Sequence, residues 1–446
     1  MARARRGGEG EMTTLRDADL AHAFHPQTNL AAHADTGPLV IARGEGIRVW
    51  DDQGREYIEG LAGLWCAGLG FSEPRLVEAA RNQMAQLPYY HSFGGRAHAP
   101  GIRLAEELAR IAPEGLTRVF FASSGSEAND SAIKIAWYYW NARGEPGRKK
   151  LIARRMAYHG VTIGSGSLTG LGHIHGGFDL PQPYVVHVRA PHHAKEARAG
   201  ETEEAFSRRL ADELEAAIQA EGPETVAAFV AEPLIGAGGV IVPPAGYFEA
   251  IQPVLRRHGI LFIVDEVITG FGRTGRMWGS ETYGLAPDIL TGAKQLTSAY
   301  APLSAVIVRE DVYDAIREEA GRRGIFGHGF TYSGHPVACA VALETLAIYR
   351  ERRLVEHAAA VAPRFQHRLR RLGQHPAVLE TRGVGLIGGV EFKAAGAAQR
   401  LAVAAQARGL FVRPILNTVA LCPPLIIEAA EIEELFDRLD AAFADL

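Results

Sequence analysis

The sequence predicts an α/β protein: a large domain with a mostly parallel seven-stranded sheet flanked by helices, plus a smaller α+β domain. Three observations predict it. From about residue 116, short β-branched or aromatic runs alternate with longer stretches of helical period, as in βαβ units. Several of those runs, such as Val226 to Ala231 and Ile260 to Val264, are apolar throughout, which is how a strand reads when both its faces are covered. After Gly334 the order changes to two long helices followed by strands.

Taken in chain order, residues 1–11 are expected to be a disordered leader, with translation starting at Met12. Arg3, Arg5 and Arg6 imitate the start of a signal peptide, but no apolar stretch follows them. Residues 12–75 form an N-terminal segment. Its hairpin-like stretch, Arg48 to Ile58 with Asp51, Asp52 and Gly54 as turn residues, is expected to join the smaller domain. Residues 76–334 make the large domain. Its strands are Arg118 to Ala122, Lys150 to Ala153, Tyr184 to Val188, Val226 to Ala231, Ile260 to Val264, Ile289 to Thr291 and Ser304 to Val308. Glu127 to Ala142, Glu203 to Ala220 and Gly246 to His258 are helices between them. Residues 335–446 make the smaller domain: helices Pro336 to Arg350 and Leu354 to Leu372, then strands near Glu380, over Leu386 to Phe392, and near Val412 and Ala420.

Composition narrows the function. Apolar residues make up 47% and charged residues 22% of 446, an ordinary globular balance, and the net charge of −4 favours neither a nucleic acid nor a membrane surface as partner. No apolar run approaches the roughly 20 residues that span a bilayer. Cys66, Cys339 and Cys422 are odd in number, scattered and without a C-x-x-C pair, so neither a disulfide framework nor a zinc site is indicated. A soluble, cytoplasmic protein acting on a small molecule is expected.

The chemistry concentrates at the ends of strands. Arg118 to Ala122 runs into Ser123, Ser124, Gly125 and Ser126, and then into a helix opening with Glu127. Free amides at such a helix start suit a phosphate; a plain N-cap with an acidic first turn reads the same way. Leu261 to Val264 ends in Asp265 and Glu266, where a carboxylate faces either a ligand or an arginine. Lys294 is sharper. Only six of the 47 basic residues are lysines, and Lys294 is the single charged residue from Ile289 to Val308. An apolar setting lowers an amine's pKa and lets it form a Schiff base, which arginine cannot do.

An anion cradle, a carboxylate and a desolvated lysine at strand ends are the three needs of pyridoxal phosphate: a seat for its phosphate, a partner for its ring nitrogen, an amine for its aldehyde. Competing motifs fall away. Gly270 to Gly275 and Gly383 to Gly388 match G-x-G-x-x-G, but neither opens a periodic helix. No P-loop and no G-x-S-x-G is present. His173 with His175, and His192 with His193, lie in polar stretches without a nearby cysteine or carboxylate cluster and are expected to be solvated, so no metal is expected.

Further motifs carry a resemblance. These are Ser124 to Asn129, Tyr158-His159-Gly160, Ala231-Glu232-Pro233, Asp265-Glu266-Val267 with Gly270 to Gly275, Gly292-Ala293-Lys294, and Gly329 to Pro336. The chain resembles class III pyridoxal-phosphate aminotransferases from about Leu20 to its end. The resemblance implies fold type I and a homodimer, or a tetramer of such dimers, with the cofactor between large and small domains. By position it implies that Lys294 bonds the cofactor and shuttles the proton, and that Asp265 keeps the pyridine nitrogen protonated. Ser124, Gly125 and Ser126 would cradle the phosphate, Tyr158 and Val267 would flank the ring, and Thr331 would reach the phosphate of the partner subunit. Glu232 would lie just behind these groups.

Within the family, Gly63-Leu64-Trp65-Cys66 and Val412-Arg413-Pro414 are similar to the amine and β-alanine:pyruvate group of ω-aminotransferases. Relatives acting on ornithine or 4-aminobutyrate carry a glutamate where this chain has Ala237, so the resemblance implies a free, movable Arg413 and pyruvate as acceptor. Ile235 stands where many relatives have glutamine. Phe24, Trp65, Tyr90, His91 and Phe93 would line the pocket for the amine donor, whose identity stays open. The alternatives are another reaction of the same fold, an aminomutase or decarboxylating transaminase, and, from a different class, a nucleotide-dependent oxidoreductase.

Overall fold

A computed structural model describes residues 14–446; the expected leader, residues 1–11, and Met12 lie outside them. A seven-stranded sheet is assembled from β4 (Leu116–Ala122), β5 (Lys150–Arg154), β6 (Val185–Val188), β7 (Val226–Ala231), β8 (Leu261–Asp265), β9 (Ile289–Gly292) and β10 (Ser304–Arg309). Its order is β4-β10-β9-β8-β7-β5-β6, and β10 alone runs against its neighbours. Period-2 alternation explains why these strands read as unbroken apolar runs. On β8, Leu261 and Ile263 pack under the helix Gly125–Ala142, whereas Phe262 and Val264 pack under Glu203–Glu221 and Tyr247–Arg257. Both faces are therefore core, and every ligand must approach along the strand ends.

A second sheet has the order β11-β12-β15-β14, built from β11 (Val378–Val384), β12 (Ile387–Phe392), β14 (Arg413–Ile415) and β15 (Thr418–Leu421). Its β11–β12 hairpin pairs Gly383 with Gly388, so that G-x-G-x-x-G match is a strand turn. The third sheet joins the chain's two ends. β1 (Ile41–Glu45), β2 (Arg48–Asp51) and β3 (Glu56–Glu59) are antiparallel neighbours, and β3 takes β13 (Leu410–Phe411) as a parallel partner. The helix Pro336–Glu351 packs against Pro74–Gln86 and Ala99–Ile111, so the change in sequence grammar after Gly334 precedes any change in packing neighbours.

The Gly270 to Gly275 loop has a structural job. Arg273, fully buried, donates from Nη1 to the carbonyls of Leu386 (3.0 Å) and Pro423 (2.6 Å) and so pins the loop to the C-terminal part of the chain. The three cysteines are free. No described helix is long and apolar enough to cross a membrane.

At the end of β3 the Glu59 carboxyl is buried, with only backbone amides such as Leu61 N (3.0 Å) as partners, and desolvation pushes its pKa up to about 7. A carboxyl raised in the folded state favours folding while protonated, and that contribution is lost as pH climbs from the ordinary glutamate value of 4.5 to about 7. The loss is worth about 3 kcal/mol. Glu59→Gln should therefore raise Tm at pH 8 and leave it nearly unchanged at pH 5, as read by calorimetry at the two pH values.

Candidate active site

A cavity of about 430 Å³ opens at the C-terminal ends of β5, β7, β8 and β9. Trp65, Gly125, Ser126, Tyr158, Glu232, Asp265, Val267, Lys294 and Arg413 all line it. Asp265 ends β8 and is buried. The alternative of an ion pair with an arginine is replaced by three hydrogen bonds: Oδ2 accepts from Asn129 Nδ2 and pairs with His159 Nδ1, both at 2.8 Å, and Oδ1 accepts from Val267 N at 3.0 Å. Asn129 is itself fixed, accepting at Oδ1 from Thr291 Oγ1 (3.0 Å) and donating to the His159 carbonyl (2.6 Å). Groups from one helix, from β9 and from the segments after β5 and β8 thus aim one carboxylate.

Lys294 follows β9 with φ of 48°, in the left-handed region, and is half-buried. Desolvation pushes its pKa below the ordinary lysine value, against a smaller upward pull from Asp265. Desolvation of this kind favours the uncharged, nucleophilic form of an amine. Burial raises the Glu232 pKa, while its carboxylate accepts from Tyr158 N (3.1 Å) and Gly236 N (2.8 Å) and so ties two cavity-lining segments together.

The N-cap reading of the Ser123 to Ser126 turn holds. Ser124 Oγ caps the helix by accepting from Glu127 N (3.2 Å), and the Glu127 carboxylate accepts from Ser123 N (2.7 Å). Ser124 is spent on the cap and does not line the cavity. Gly125 and Ser126 do, with first-turn amides that have no partner within the helix. A Cβ on Gly125 would lie 3.1 Å from Val267 Cγ1, so the glycine lets Val267 close over the helix start.

Arg413, on β14, is half-buried, and burial lowers its pKa against a smaller raising effect from Tyr158. Among the described residues it has no carboxylate within ion-pair distance, and Ala237 lines the same cavity.

Other expectations shift. Phe24 is 85% exposed, whereas Gln27 of the same segment lines the cavity; beside it Asp19 bridges His25 (2.7 Å) and His33 (2.9 Å). Tyr90, His91, Phe93 and Thr331 do not line the cavity. They gather at the surface, where Tyr89 donates to the Thr331 carbonyl (2.8 Å) and Phe93 lies over Gly329. His173 stands exposed at the cavity rim, and half-buried His175 meets the Gly166 carbonyl. His192 is not solvated: it is buried, 2.7 Å from Glu380 Oε1, a carboxylate 188 positions away that local sequence cannot reveal.

Few cofactors ask for a desolvated amine, a buried carboxylate and a row of free amides in one cavity; pyridoxal phosphate asks for all three. Fold and site together define an enzyme that works through this group. The chain belongs to the class III aminotransferases, whose family description, "Aminotransferase class-III", matches residues 30–443. It is 47% identical to a probable gamma-aminobutyrate transaminase 2, mitochondrial, from Oryza sativa subsp. indica, over 97% of this chain and 91% of that one. It is 49% identical to gamma aminobutyrate transaminase 1, mitochondrial, from Solanum lycopersicum, over 90% and 80%. The solved omega transaminase from Pseudomonas jessenii in complex with PMP superposes with a TM-score of 0.96 at 50% identity, covering 97% of this chain and 98% of that one.

Proposed function

We propose that this aminotransferase moves the amino group of an ω-amino acid or amine to pyruvate, giving alanine, in two alternating half-reactions. Arg413 carries this reading. A guanidinium without a carboxylate partner among the described residues, lining the same cavity as Ala237, offers a planar fork to an incoming carboxylate. Leu64, Trp65, Ile268 and Ile415 also line the cavity and suit an aliphatic or aromatic donor. The names of the plant relatives favour an ω-amino acid such as 4-aminobutyrate as one donor.

Pyridoxal phosphate supplies an electron sink beside the substrate carbon once bound. The residues present fit it. The Gly125 and Ser126 amides would take its phosphate, Asp265 would meet its ring nitrogen, and Tyr158 and Val267 would flank its ring. Lys294 Nζ would bond its aldehyde and then carry the proton, desolvation lowering its pKa and so favouring the uncharged amine that can both attack and accept. His159 and Asn129 hold the Asp265 carboxylate still, and Glu232 fixes the backbone at Tyr158.

Arg413→Ala should leave the amine half-reaction within a small factor of normal. It should weaken the pyruvate half-reaction by about tenfold or more, since a charge-assisted bidentate contact worth about 1.5–3 kcal/mol is lost. Single-turnover absorbance of the two halves reads this directly. Equal damage to both halves, or none to the pyruvate half, rejects pyruvate binding at Arg413.

We also infer a homodimer in which the surface around Tyr90, Phe93 and Thr331 faces the partner, on the support that aromatic side chains lie exposed there. Thr331 would then serve the partner's phosphate site. Mixing Thr331→Glu chains with Lys294→Ala chains should regenerate activity in hybrid dimers, because one site receives both intact parts. No recovery from well-folded hybrids argues for sites contained in one subunit. Three free cysteines fit a reducing compartment such as the cytoplasm, whereas the plant relatives are named as mitochondrial.

A further inference from the structure

Two elements bring Ala237 and Arg413 to the cavity. The turn from Gly236 to Val240 is closed at its base by the Ile235–Ile241 bridge, with amide-to-carbonyl distances of 3.0 and 2.8 Å. Strand β14 is three residues long and lies at the edge of its sheet, paired with β15 alone. One side chain joins the two. Arg382, on β11 at the opposite edge, donates from Nε to the Val240 carbonyl (2.9 Å) and from Nη2 to the Gly239 carbonyl (2.6 Å). The same Nη2 reaches Thr418 Oγ1 (3.3 Å), and Thr418 is the β15 residue paired with Ile415.

The other end of the fork is held as firmly. Arg382 Nη1 meets Glu391 Oε2 at 2.6 Å and also contacts Glu380; Glu391 in turn contacts Lys195, and Glu380 pairs with His192. Two carboxylates face one arginine and one lysine, so the cluster is balanced without any bound ion. The packing leaves no slack: a Cβ on Gly239 would lie 3.2 Å from Thr418 Oγ1 and 3.3 Å from Arg382 Nη2, and one on Gly389 would lie 3.2 Å from the Gly239 carbonyl.

We propose that Arg382 is a positioning residue for acceptor recognition: by gripping the Gly236–Val240 turn and the β14–β15 hairpin with one guanidinium, it sets the distance between Ala237 and Arg413. The slot that receives the acceptor's carboxylate is the gap it fixes. This rests on the reading of Arg413 given above. A lysine would keep the charge near Glu380 and Glu391 but could not reach two carbonyls and a hydroxyl at once, because it lacks the planar fork.

The test uses the holoenzyme with Arg382→Lys, and Thr418→Val as a milder variant that removes only the hydroxyl contact. Arg382→Lys should raise the pyruvate concentration needed for half-maximal single turnover by about fivefold to tenfold, with Thr418→Val shifting it less in the same direction. The amine half-reaction should stay within about twofold. In an Arg413→Ala background, Arg382→Lys should add nothing further. Amide hydrogen exchange should quicken in residues 236–240 and 413–421 of Arg382→Lys and stay unchanged in β7 and β8. Equal slowing of both halves, full additivity with Arg413→Ala, or unchanged exchange in folded protein each overturns the proposal. If Arg413→Ala spares the pyruvate half, the acceptor reading falls instead, and exchange alone decides whether Arg382 couples the two elements.

Discussion

Lys294→Ala is expected to give a folded protein without measurable turnover, a loss on the order of 10⁴-fold or more. Two functions disappear together. The cofactor aldehyde loses its only nearby amine, since the other five lysines of the chain do not line the cavity. The substrate carbon loses the base that moves its proton. Folding should survive, because burial lowers the Lys294 pKa and so its charged form is penalised in the native state; removing it relieves that penalty at neutral pH. The cofactor-free Tm should hold or rise. Borohydride reduction followed by peptide mass analysis should fix the cofactor to the peptide carrying Lys294 in the parent and to no peptide in the variant. A small external amine such as methylamine should restore part of the activity by entering the space left. Near-normal turnover in Lys294→Ala removes the assignment.

How much of this was legible beforehand depends on where the contacts are made. Strands β7 and β8 could be read within a residue at either end because both faces are core and the runs are apolar throughout. The reversal of β10 leaves no such mark, since a buried strand has the same composition whichever way it runs. Lys294 and Asp265 stood out for a related reason: each is a charge set against an apolar background at a strand end. The groups that hold them did not. Asn129 and His159 lie 136 and 106 positions from Asp265, and an asparagine inside a helix or a histidine after a strand looks ordinary until the carboxylate arrives beside it. His192 was misjudged through the same blindness, with Glu380 out of sight. Phe24 and Phe93 erred differently. Their placement came from family position, and a cavity defined within one chain contains neither.

Asp265→Asn should bind the cofactor and fold, yet slow proton abstraction by about three orders of magnitude, because a neutral amide cannot stabilise a proton on the pyridine nitrogen. The hydrogen-bond pattern makes the substitution harsher than its shape implies. Asp265 Oδ2 faces two N–H donors, Asn129 Nδ2 and His159 Nδ1, and Oδ1 faces a third at Val267 N. An amide has one oxygen. Whichever way it turns, its NH₂ meets a donor, which costs about 1–3 kcal/mol unless His159 changes tautomer, and that ring's Nε2 is buried without a partner to favour the change. Charge and geometry are separable by supplying a cofactor analogue methylated on the ring nitrogen, whose positive charge is permanent. If Asp265 acts by holding that charge, the analogue should recover a large part of the lost rate in Asp265→Asn and give no gain in the parent. Failure to recover, with the analogue bound, would assign the loss to the displaced ring instead, and an unchanged rate in Asp265→Asn would give this carboxylate another role.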